Sequence, residues 1–306
     1  MRHPLLILLT SLPLAACAQG SHPQGPAQAS AQPASTPNVV RTETVARNLE
    51  NPWGMTFLPD GRMLVTERPG RLRIVTPDGK LSAPLTGVPK VFAEGQGGLL
   101  DVALDPHFAA NRLVYLSFAE PGEGGTAGTA VARGTLSADG MGLEHTQVIY
   151  QQQPKVRGGN HFGSRLVFAR DGTLFITQGD RFAYRERAQD RSAGLGKVVH
   201  INADGSIPPG NPFVGRSDAL PVIWSYGHRN MQGATLHPET GRLWTVEHGA
   251  RGGDELNQPE AGKNYGWPVI TYGIDYSGAP IGEGAVKGGM EQPVYYWDPV
   301  IAPSGM

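Results

Sequence analysis

Three short segments carry side chains whose types suit proton transfer and the binding of anions. His161 lies in "GGNHFGSRLVF", Gln96 in "EGQGGLLDV", and Arg229 with Asn230 in "YGHRNMQG". Histidine titrates near neutral pH and is the natural general base among these residues. Arginine presents a planar fork of donors that suits a carboxylate or a developing oxyanion. Each residue alone also fits an ordinary structural role, so its meaning depends on whether the fold brings them together.

A fourth segment, residues 246–267, reads "VEHGARGGDELNQPEAGKNYGW". It offers carboxylate and backbone oxygens but neither a cysteine nor clustered histidines. Oxygen ligands of this kind, with Glu255 among them, suit a hard cation such as Ca²⁺ far better than Zn²⁺. The D-x-D-x-D-G spacing of an EF-hand is absent. Composition alone favours a solvated acidic loop, so both interpretations stay open at this point.

Repeated β-hairpins are expected to position these segments. An apolar doublet, a turn built on Pro, Asp or Gly, and an alternating apolar run recur at 54–67, 101–118, 165–180 and 233–249. The turn residues tolerate positive φ, and the alternation has the period of a pleated strand. One hairpin recurring at blade-like intervals predicts a β-propeller rather than a β-sandwich. In a propeller the ends of the innermost strands gather at one mouth, so the four polar segments are expected to converge.

Composition agrees with an all-β domain. Among 306 residues there are 42 glycines and 26 prolines, and only 17% of residues are charged. The glycines and prolines of the folded part fall between short apolar runs and indicate many turns. The net charge of −1 argues against broad electrostatic attraction to nucleic acid or to an anionic membrane surface.

The N-terminus has the pattern of an export signal. Arg2 precedes an apolar run that is too short to span a bilayer. The one cysteine, Cys17, closes "LAAC", which resembles a bacterial lipobox, and a plain signal peptide is the alternative. We predict a lipoprotein-type signal peptide at 1–17, a flexible Ala/Gln/Pro/Ser-rich tether at 18–44 and a propeller domain at 45–306. The mature protein is expected in the periplasm, with a lipid anchor as its only membrane contact.

Several long motifs, in order, resemble the soluble periplasmic aldose sugar dehydrogenases that depend on pyrroloquinoline quinone (PQQ). They are "NPWGMTFLPDGRMLVTERPGRLRIV", "GQGGLLDVALDPHF", "GNHFGSRLVF", "GHRNMQG" and "DELNQPEAGKNYGWPVITYG". The resemblance implies an all-β, six-bladed β-propeller. Because the sequence stops at "YYWDPVIAPSGM", the last blade of the family is expected to be missing from this chain.

The resemblance also implies a role for most of the candidate side chains. His161 matches the general base that takes a proton from the anomeric hydroxyl of an aldose, while hydride passes to PQQ and a lactone forms. A respiratory acceptor then takes the electrons. The positions that match PQQ or pocket contacts are Gln96, Arg229, Asn230 and Tyr276.

Calcium is the second cofactor that the resemblance implies. The backbone carbonyls of Gly249 and Ala250 match ligands of a Ca²⁺ that polarises PQQ, and Glu255 and Tyr265 match ligands of another Ca²⁺. Asn160 stands where glucose-oxidising relatives have aspartate, which leaves the preferred sugar open.

Two other functions compete with sugar oxidation. A calcium-dependent lactonase on a similar propeller would need several carboxylates pointing into the channel. A non-enzymatic propeller could instead serve as an interaction module of the cell envelope.

Overall fold

A computed structural model describes residues 41–306, which form four antiparallel β-sheets joined by loops. The predicted signal peptide and nearly all of the predicted tether lie outside these residues. In chain order the sheets contain β1 (Pro52–Phe57), β2 (Met63–Glu67) and β3 (Arg71–Val75); β4 (Leu99–Leu104), β5 (Leu113–Pro121), β6 (Thr126–Leu136), β7 (Leu143–Gln151) and β8 (Val156–Arg157); β9 (Gly163–Phe168), β10 (Leu174–Gln178), β11 (Lys197–Ile201) and β12 (Ile223–Tyr226); and β13 (Met231–Leu236), β14 (Leu243–Glu247), β15 (Asp254–Asn257) and β16 (Tyr295–Trp297).

Helix is scarce in this part of the chain. It consists of α1 (Phe108–Asn111) and two short 3₁₀ segments, Glu123–Gly125 and Arg185–Ala188. None of the helices within residues 41–306 is long and apolar enough to cross a membrane.

Each sheet is one blade of a β-propeller. The four predicted hairpins are confirmed, because they form the first two strands of the four sheets. The first strands of successive sheets touch one another, β1 with β4, β4 with β9 and β9 with β13, so they lie on the inner side. The predicted all-β propeller is therefore confirmed, and the total of six blades stays a prediction.

The apolar core lies between neighbouring blades. One cluster joins Leu64 of the first blade to Leu116 of the second, and another joins Tyr115 of the second to Ile176 of the third. Blades that are covered on both faces bury both sets of alternating side chains. Consequently every residue of β2, β10 and β11 is buried, and the polar members of these strands need partners inside the protein.

On the second strand of each of the first three blades, a buried hydroxyl finds its partner in the next blade. It donates a hydrogen bond to a carbonyl at the start of the next blade, and so ties the two blades together. The donor–acceptor pairs are Thr66 with Leu100, Ser117 with Ser164, and Thr177 with Met231. In the fourth blade the equivalent hydroxyl belongs to Thr245, which is buried and has no partner among the described residues.

Candidate active site

His161 and Asp180 form a buried pair at one end of the third blade. His161 precedes β9 and Asp180 follows β10, and the antiparallel pairing of these strands brings the two residues together. Nδ1 of His161 lies 2.7 Å from Oδ1 of Asp180. An ionised carboxylate can only accept, so this contact places the proton of a neutral imidazole on Nδ1. Nε2 has no hydrogen-bond partner within residues 41–306 and is the nitrogen available to accept a proton.

The backbone around this pair adopts unusual conformations. The left-handed region holds four non-glycine residues here, with φ of 53° at His161, 93° at Ser164, 61° at Arg181 and 60° at Phe182. Such conformations cost on the order of 1–3 kcal/mol each and persist where the surroundings fix them. One fixing contact is the hydrogen bond of 2.7 Å from the Phe182 amide to Oδ1 of Asp180.

Two further side chains hold the His161 loop in place. Oε1 of Gln96 accepts a hydrogen bond of 2.8 Å from the His161 amide, although the Gln96 side chain itself is exposed. Arg181 is buried and its guanidinium lies 3.7 Å from the ring centroid of Phe162. The same guanidinium donates to the backbone carbonyls of Ala127, Gly158 and Asn160. Gln96 therefore holds the backbone amide of His161, and Arg181 holds the backbone carbonyls around it.

Arg229 lies at the start of the fourth blade, on the same side as His161. Its amide donates to Oε2 of Glu247 at 2.6 Å, which fixes the backbone before β13. Its guanidinium donates to the carbonyls of His248, at 2.9 Å, and Gly249. The hydroxyl of Tyr276 accepts from the other terminal nitrogen at 3.2 Å, and Tyr276 is 61% exposed.

Asn230 lies behind Arg229 and is also buried. Its Oδ1 accepts a hydrogen bond of 3.1 Å from the Gly163 amide, which links the third and fourth blades. Its Nδ2 is buried without a partner among the described residues, and so is Nε of Arg229. Buried donors without partners are costly unless another group accepts from them.

A cavity of about 420 Å³ brings most of these residues together. His161, Arg229 and Ala250 line it, so three of the four polar segments converge at one mouth as predicted, and Tyr276 lines it too. Gln96 and Asn230 contact the loops that form its wall but are not among its lining residues.

The cavity also contains residues that the sequence did not single out. They are Asp180, Phe182, Ala183, Arg185, Trp267, Asp275 and Ile281. Asp180 had a usable signal, since "QGD" directly follows the second strand of the third hairpin. Trp267 had none, because it lies in a loop without periodic pattern and reaches the site only through the fold.

The segment 246–267 contributes to two neighbouring cavities. Ala250 faces the large cavity, whereas Gly249, Glu255 and Tyr265 line a small one of about 10 Å³. Arg229 and Trp267 line both cavities and separate them. The structure thus divides the four predicted calcium ligands between two adjacent places.

Two glutamates face each other at the small cavity. Glu247 on β14 pairs with Glu255 on β15, and Nδ2 of Asn257 donates to both carboxylates at 3.0 Å. Burial and then the charge of Glu247 raise the pKa of Glu255 to about 8. Burial also opposes ionisation of Glu247, but its contacts with the buried His228 keep the pKa of Glu247 below the ordinary value. A cation beside Glu255 would favour its ionised form.

Some of the predicted calcium ligands already have other partners. The Tyr265 hydroxyl donates to the Gln258 carbonyl at 2.5 Å and accepts from the Glu260 amide at 3.0 Å. The Gly249 carbonyl accepts from Arg229. In the part of the chain that the structure describes, no group of three or more His, Cys, Asp or Glu side chains could hold a metal ion. A calcium site here would therefore rely on backbone carbonyls in addition to Glu255.

Fold and cavity together define a β-propeller protein with a buried histidine–carboxylate pair and an arginine at one mouth. The family model described as "Glucose / Sorbosone dehydrogenase" matches residues 49–306 of the chain. The protein belongs to this family.

Curated and solved relatives agree with this membership. The aldose sugar dehydrogenase YliI of Escherichia coli K12 is 49% identical over 275 residues, which cover 89% of this chain and 74% of that protein. The crystal structure of the soluble aldose sugar dehydrogenase from E. coli in the apo-form superimposes with a TM-score of 0.84 at 48% identity, covering 86% of this chain and 76% of that one. The PQQ-bound form of aldose sugar dehydrogenase from Streptomyces coelicolor gives a TM-score of 0.70 at 30% identity, covering 86% and 73%.

Proposed function

We propose that this protein oxidises aldose sugars at the anomeric carbon to lactones, as a PQQ-dependent dehydrogenase. The observation that carries the proposal is the His161–Asp180 pair, which faces the same cavity as Arg229. Family membership and the PQQ-bound relative from S. coelicolor support this chemistry.

His161 acts as the general base in this proposal. Asp180 fixes the proton on Nδ1, so Nε2 takes the proton from the anomeric hydroxyl. As the imidazole becomes positively charged, the adjacent carboxylate of Asp180 stabilises that charge. The Phe182 ring packs perpendicular to the imidazole of His161, with 5.2 Å between ring centroids.

The residues of the cavity fit PQQ, an o-quinone that carries three carboxylates. Such a group presents oxygen acceptors along its edge, and Arg229, which lines the cavity, has a buried Nε without a partner among the described residues. Arg229 and Tyr276 would hold it, with Gln96 and Asn230 supporting the loops that form the cavity wall. When bound, PQQ supplies the acceptor for the hydride of the sugar. The guanidinium of Arg229 would provide positive charge beside PQQ, on which negative charge accumulates as the hydride is transferred.

Calcium is the second cofactor of the proposal. The carbonyls of Gly249 and Ala250 would ligate an ion next to the cavity, and Glu255 with Tyr265 would ligate another. The raised pKa of Glu255, about 8, supports the second ion, because a buried carboxyl without a counter-charge is held neutral there. Gly252 and Gly253, with φ of 83° and 76°, allow the chain to reverse tightly after Ala250.

The unpartnered hydroxyl of Thr245 supports a propeller with more than four blades, and we propose six. The equivalent hydroxyls of the first three blades each donate to the next blade. Periplasmic location, lipid attachment and a respiratory electron acceptor complete the proposal and rest on the sequence.

The calcium-dependent lactonase has less support. It would need several carboxylates in the channel, whereas the described cavity contains Asp180 and Asp275 only. Asp180 is bonded to His161, and Asp275 pairs with Arg185 at 3.4 Å.

Dye reduction tests the proposal. Purified protein is supplied with PQQ and Ca²⁺, and aldose-dependent dye reduction is followed for several sugars. We expect turnover that requires PQQ. His161→Asn removes the base but suits the left-handed backbone at this position, since asparagine tolerates positive φ. It should lower kcat by about 10²–10⁴-fold while PQQ stays bound. Full activity of this variant would remove His161 from the mechanism, and absence of aldose-dependent turnover in the PQQ-loaded wild type would overturn the function.

A further inference from the structure

Trp267 contacts both halves of the candidate active site. Its Nε1 donates a hydrogen bond of 2.7 Å to Oδ2 of Asp180. The guanidinium of Arg229 lies 5.3 Å from the centroid of the same indole. Trp267 is 7% exposed, so both contacts are shielded from solvent. One side chain thus reaches the partner of the proposed base and the proposed anion-binding arginine.

The loop around Trp267 is held firmly. Its amide donates to the Gly227 carbonyl at 2.9 Å, and its own carbonyl accepts from Nε2 of Gln189 at 2.8 Å. The indole packs in an apolar cluster with Ala188, Ala250 and Ile281. The indole therefore has a fixed position relative to the third and fourth blades.

The two oxygens of Asp180 have different partners. Oδ1 accepts from the Phe182 amide and contacts Nδ1 of His161, whereas the indole of Trp267 is the partner of Oδ2 within residues 41–306. Without the indole donor, the carboxylate would keep a buried, unsatisfied oxygen and could rotate about its Cβ–Cγ bond. Such a rotation would also reorient the imidazole of His161, because Nδ1 of that ring is hydrogen-bonded to Oδ1 of Asp180.

We propose that Trp267 is a positioning residue that sets both the orientation and the basicity of His161 through Asp180. This inference rests on the proposed function, in which His161 is the general base. The indole N–H withdraws part of the carboxylate charge from the imidazole. Removing the donor leaves more negative charge beside His161 and stabilises its protonated form, so the base becomes available only at higher pH. The other charged or titratable groups facing this part of the site are Arg181, Arg185, Arg229, His248, Asp275 and Tyr276.

Trp267→Phe tests the proposal, because phenylalanine keeps an aromatic face for Arg229 and removes the donor. In the PQQ-loaded enzyme we expect kcat to fall by about tenfold, with little change in KM for the aldose. The acid limb of the pH–rate profile should move to higher pH. In the protein without PQQ, the titration midpoint of the His161 ring, followed by NMR, should rise by at least about half a pH unit, in line with the loss of one hydrogen bond to a charged group.

Trp224→Phe is the matched control. The Trp224 indole also donates one hydrogen bond, to the Pro259 carbonyl at 3.2 Å, but it lines a different cavity from His161. This variant should keep the wild-type pH–rate profile and His161 titration. Incorporation of β-(3-benzothienyl)alanine at position 267, which replaces the N–H by sulfur in a ring of nearly the same shape, gives a second test if Trp267→Phe folds poorly.

A wild-type His161 titration in a folded variant that lacks the donor would overturn the inference. The titration needs neither PQQ nor turnover. If aldose oxidation itself failed, the titration would still decide whether Trp267 acts on His161, so the two failures can be told apart.

Discussion

Nδ1 of His161 lies 2.7 Å from Oδ1 of Asp180, although the two residues are 19 positions apart in the chain. Their separation spans the whole β9–β10 hairpin, and the pairing of these strands places both at the mouth of the propeller. The contact orients the imidazole and leaves Nε2 without a partner within residues 41–306, as the proposed role of a general base requires. Asp180 is consequently the residue whose replacement should affect His161 most directly.

Asp180→Asn should preserve the shape of the site and remove the charge. We expect kcat to fall by about 10²-fold or more, because a neutral amide stabilises the protonated imidazole poorly. The amide also has a single oxygen to accept from the three donors that now contact Asp180, which are Nδ1 of His161, the Phe182 amide and Nε1 of Trp267. Steady-state kinetics with a PQQ-saturated protein measures this effect. Asp171→Asn, in the turn at the opposite end of the same hairpin, is the control and should keep wild-type kcat. Unchanged turnover of Asp180→Asn would show that the pair has no catalytic part.

Arg229→Lys should weaken PQQ binding. A lysine ammonium cannot reproduce the planar fork that reaches the carbonyls of His248 and Gly249 and the hydroxyl of Tyr276 together. We expect the Kd for PQQ to rise by about tenfold or more, since one bond to a charged group contributes roughly 1.5–3 kcal/mol. Titration calorimetry measures the change.

Arg170→Lys is the matched control for Arg229→Lys. Arg170 lies in the turn between β9 and β10, at the end opposite to His161, where its guanidinium donates to the carbonyls of Pro238 and Glu239. Its replacement should leave PQQ affinity unchanged. Equal affinities in Arg229→Lys and the wild type would contradict the proposed contact.

Removal of calcium should lower thermal stability through Glu255. An ion present at about 100 times its Kd stabilises the folded state by about 2.7 kcal/mol, so chelation should lower Tm by several degrees. Glu255→Gln should have a lower Tm in calcium and lose less Tm on chelation than the wild type, because the ion at Gly249 and Ala250 is the one left to remove. Glu144→Gln, an exposed change on β7, should respond like the wild type. Identical melting curves for the wild type with and without chelator would argue against a structural ion.

Lys197 should make stability depend on pH. It is fully buried, and its ammonium donates to the carbonyls of Arg187, Ala188 and Leu195 at 2.9, 2.9 and 2.6 Å. Burial lowers its pKa to about 7 from the ordinary 10.5, with Asp190 opposing the shift. Between these two values the unfolded chain binds more protons than the folded one, so the stability contributed by Lys197 increases as pH rises from about 7 towards 10.5.

Lys197→Met removes this pH dependence. The wild-type free energy of unfolding minus that of the variant should increase by up to about 1.4 kcal/mol per pH unit above pH 7, and stay constant below it. Urea unfolding at pH 6, 7, 8 and 9 measures the difference. Lys263→Met, at an exposed ion pair with Glu291, should show no such increase. A pH-independent difference for Lys197→Met would mean that the lysine stays charged throughout.

Local pattern was sufficient to predict the hairpins and several residues of the site. Strand, turn and strand have recognisable periods and turn residues, and all four predicted hairpins form the first two strands of a blade. The expected meeting of His161, Arg229 and the 246–267 loop followed from the geometry of a propeller, in which equivalent strand ends share one mouth, whereas Tyr276 was associated with the site only through the family resemblance. Gln96 and Asn230 were expected to contact PQQ or its pocket; the structure places them behind the cavity wall, where they bind the backbone around His161.

The sequence by itself determined that this chain forms an all-β propeller, because each hairpin is a local unit whose residue types specify its turn and its strands. Only the tertiary structure decided which side chains touch across blades. Trp267 and Asp180 are 87 positions apart, and their hydrogen bond exists because a loop of the fourth blade packs over the end of the third. Neither residue type nor spacing encodes such a contact, since it depends on how whole blades pack against one another.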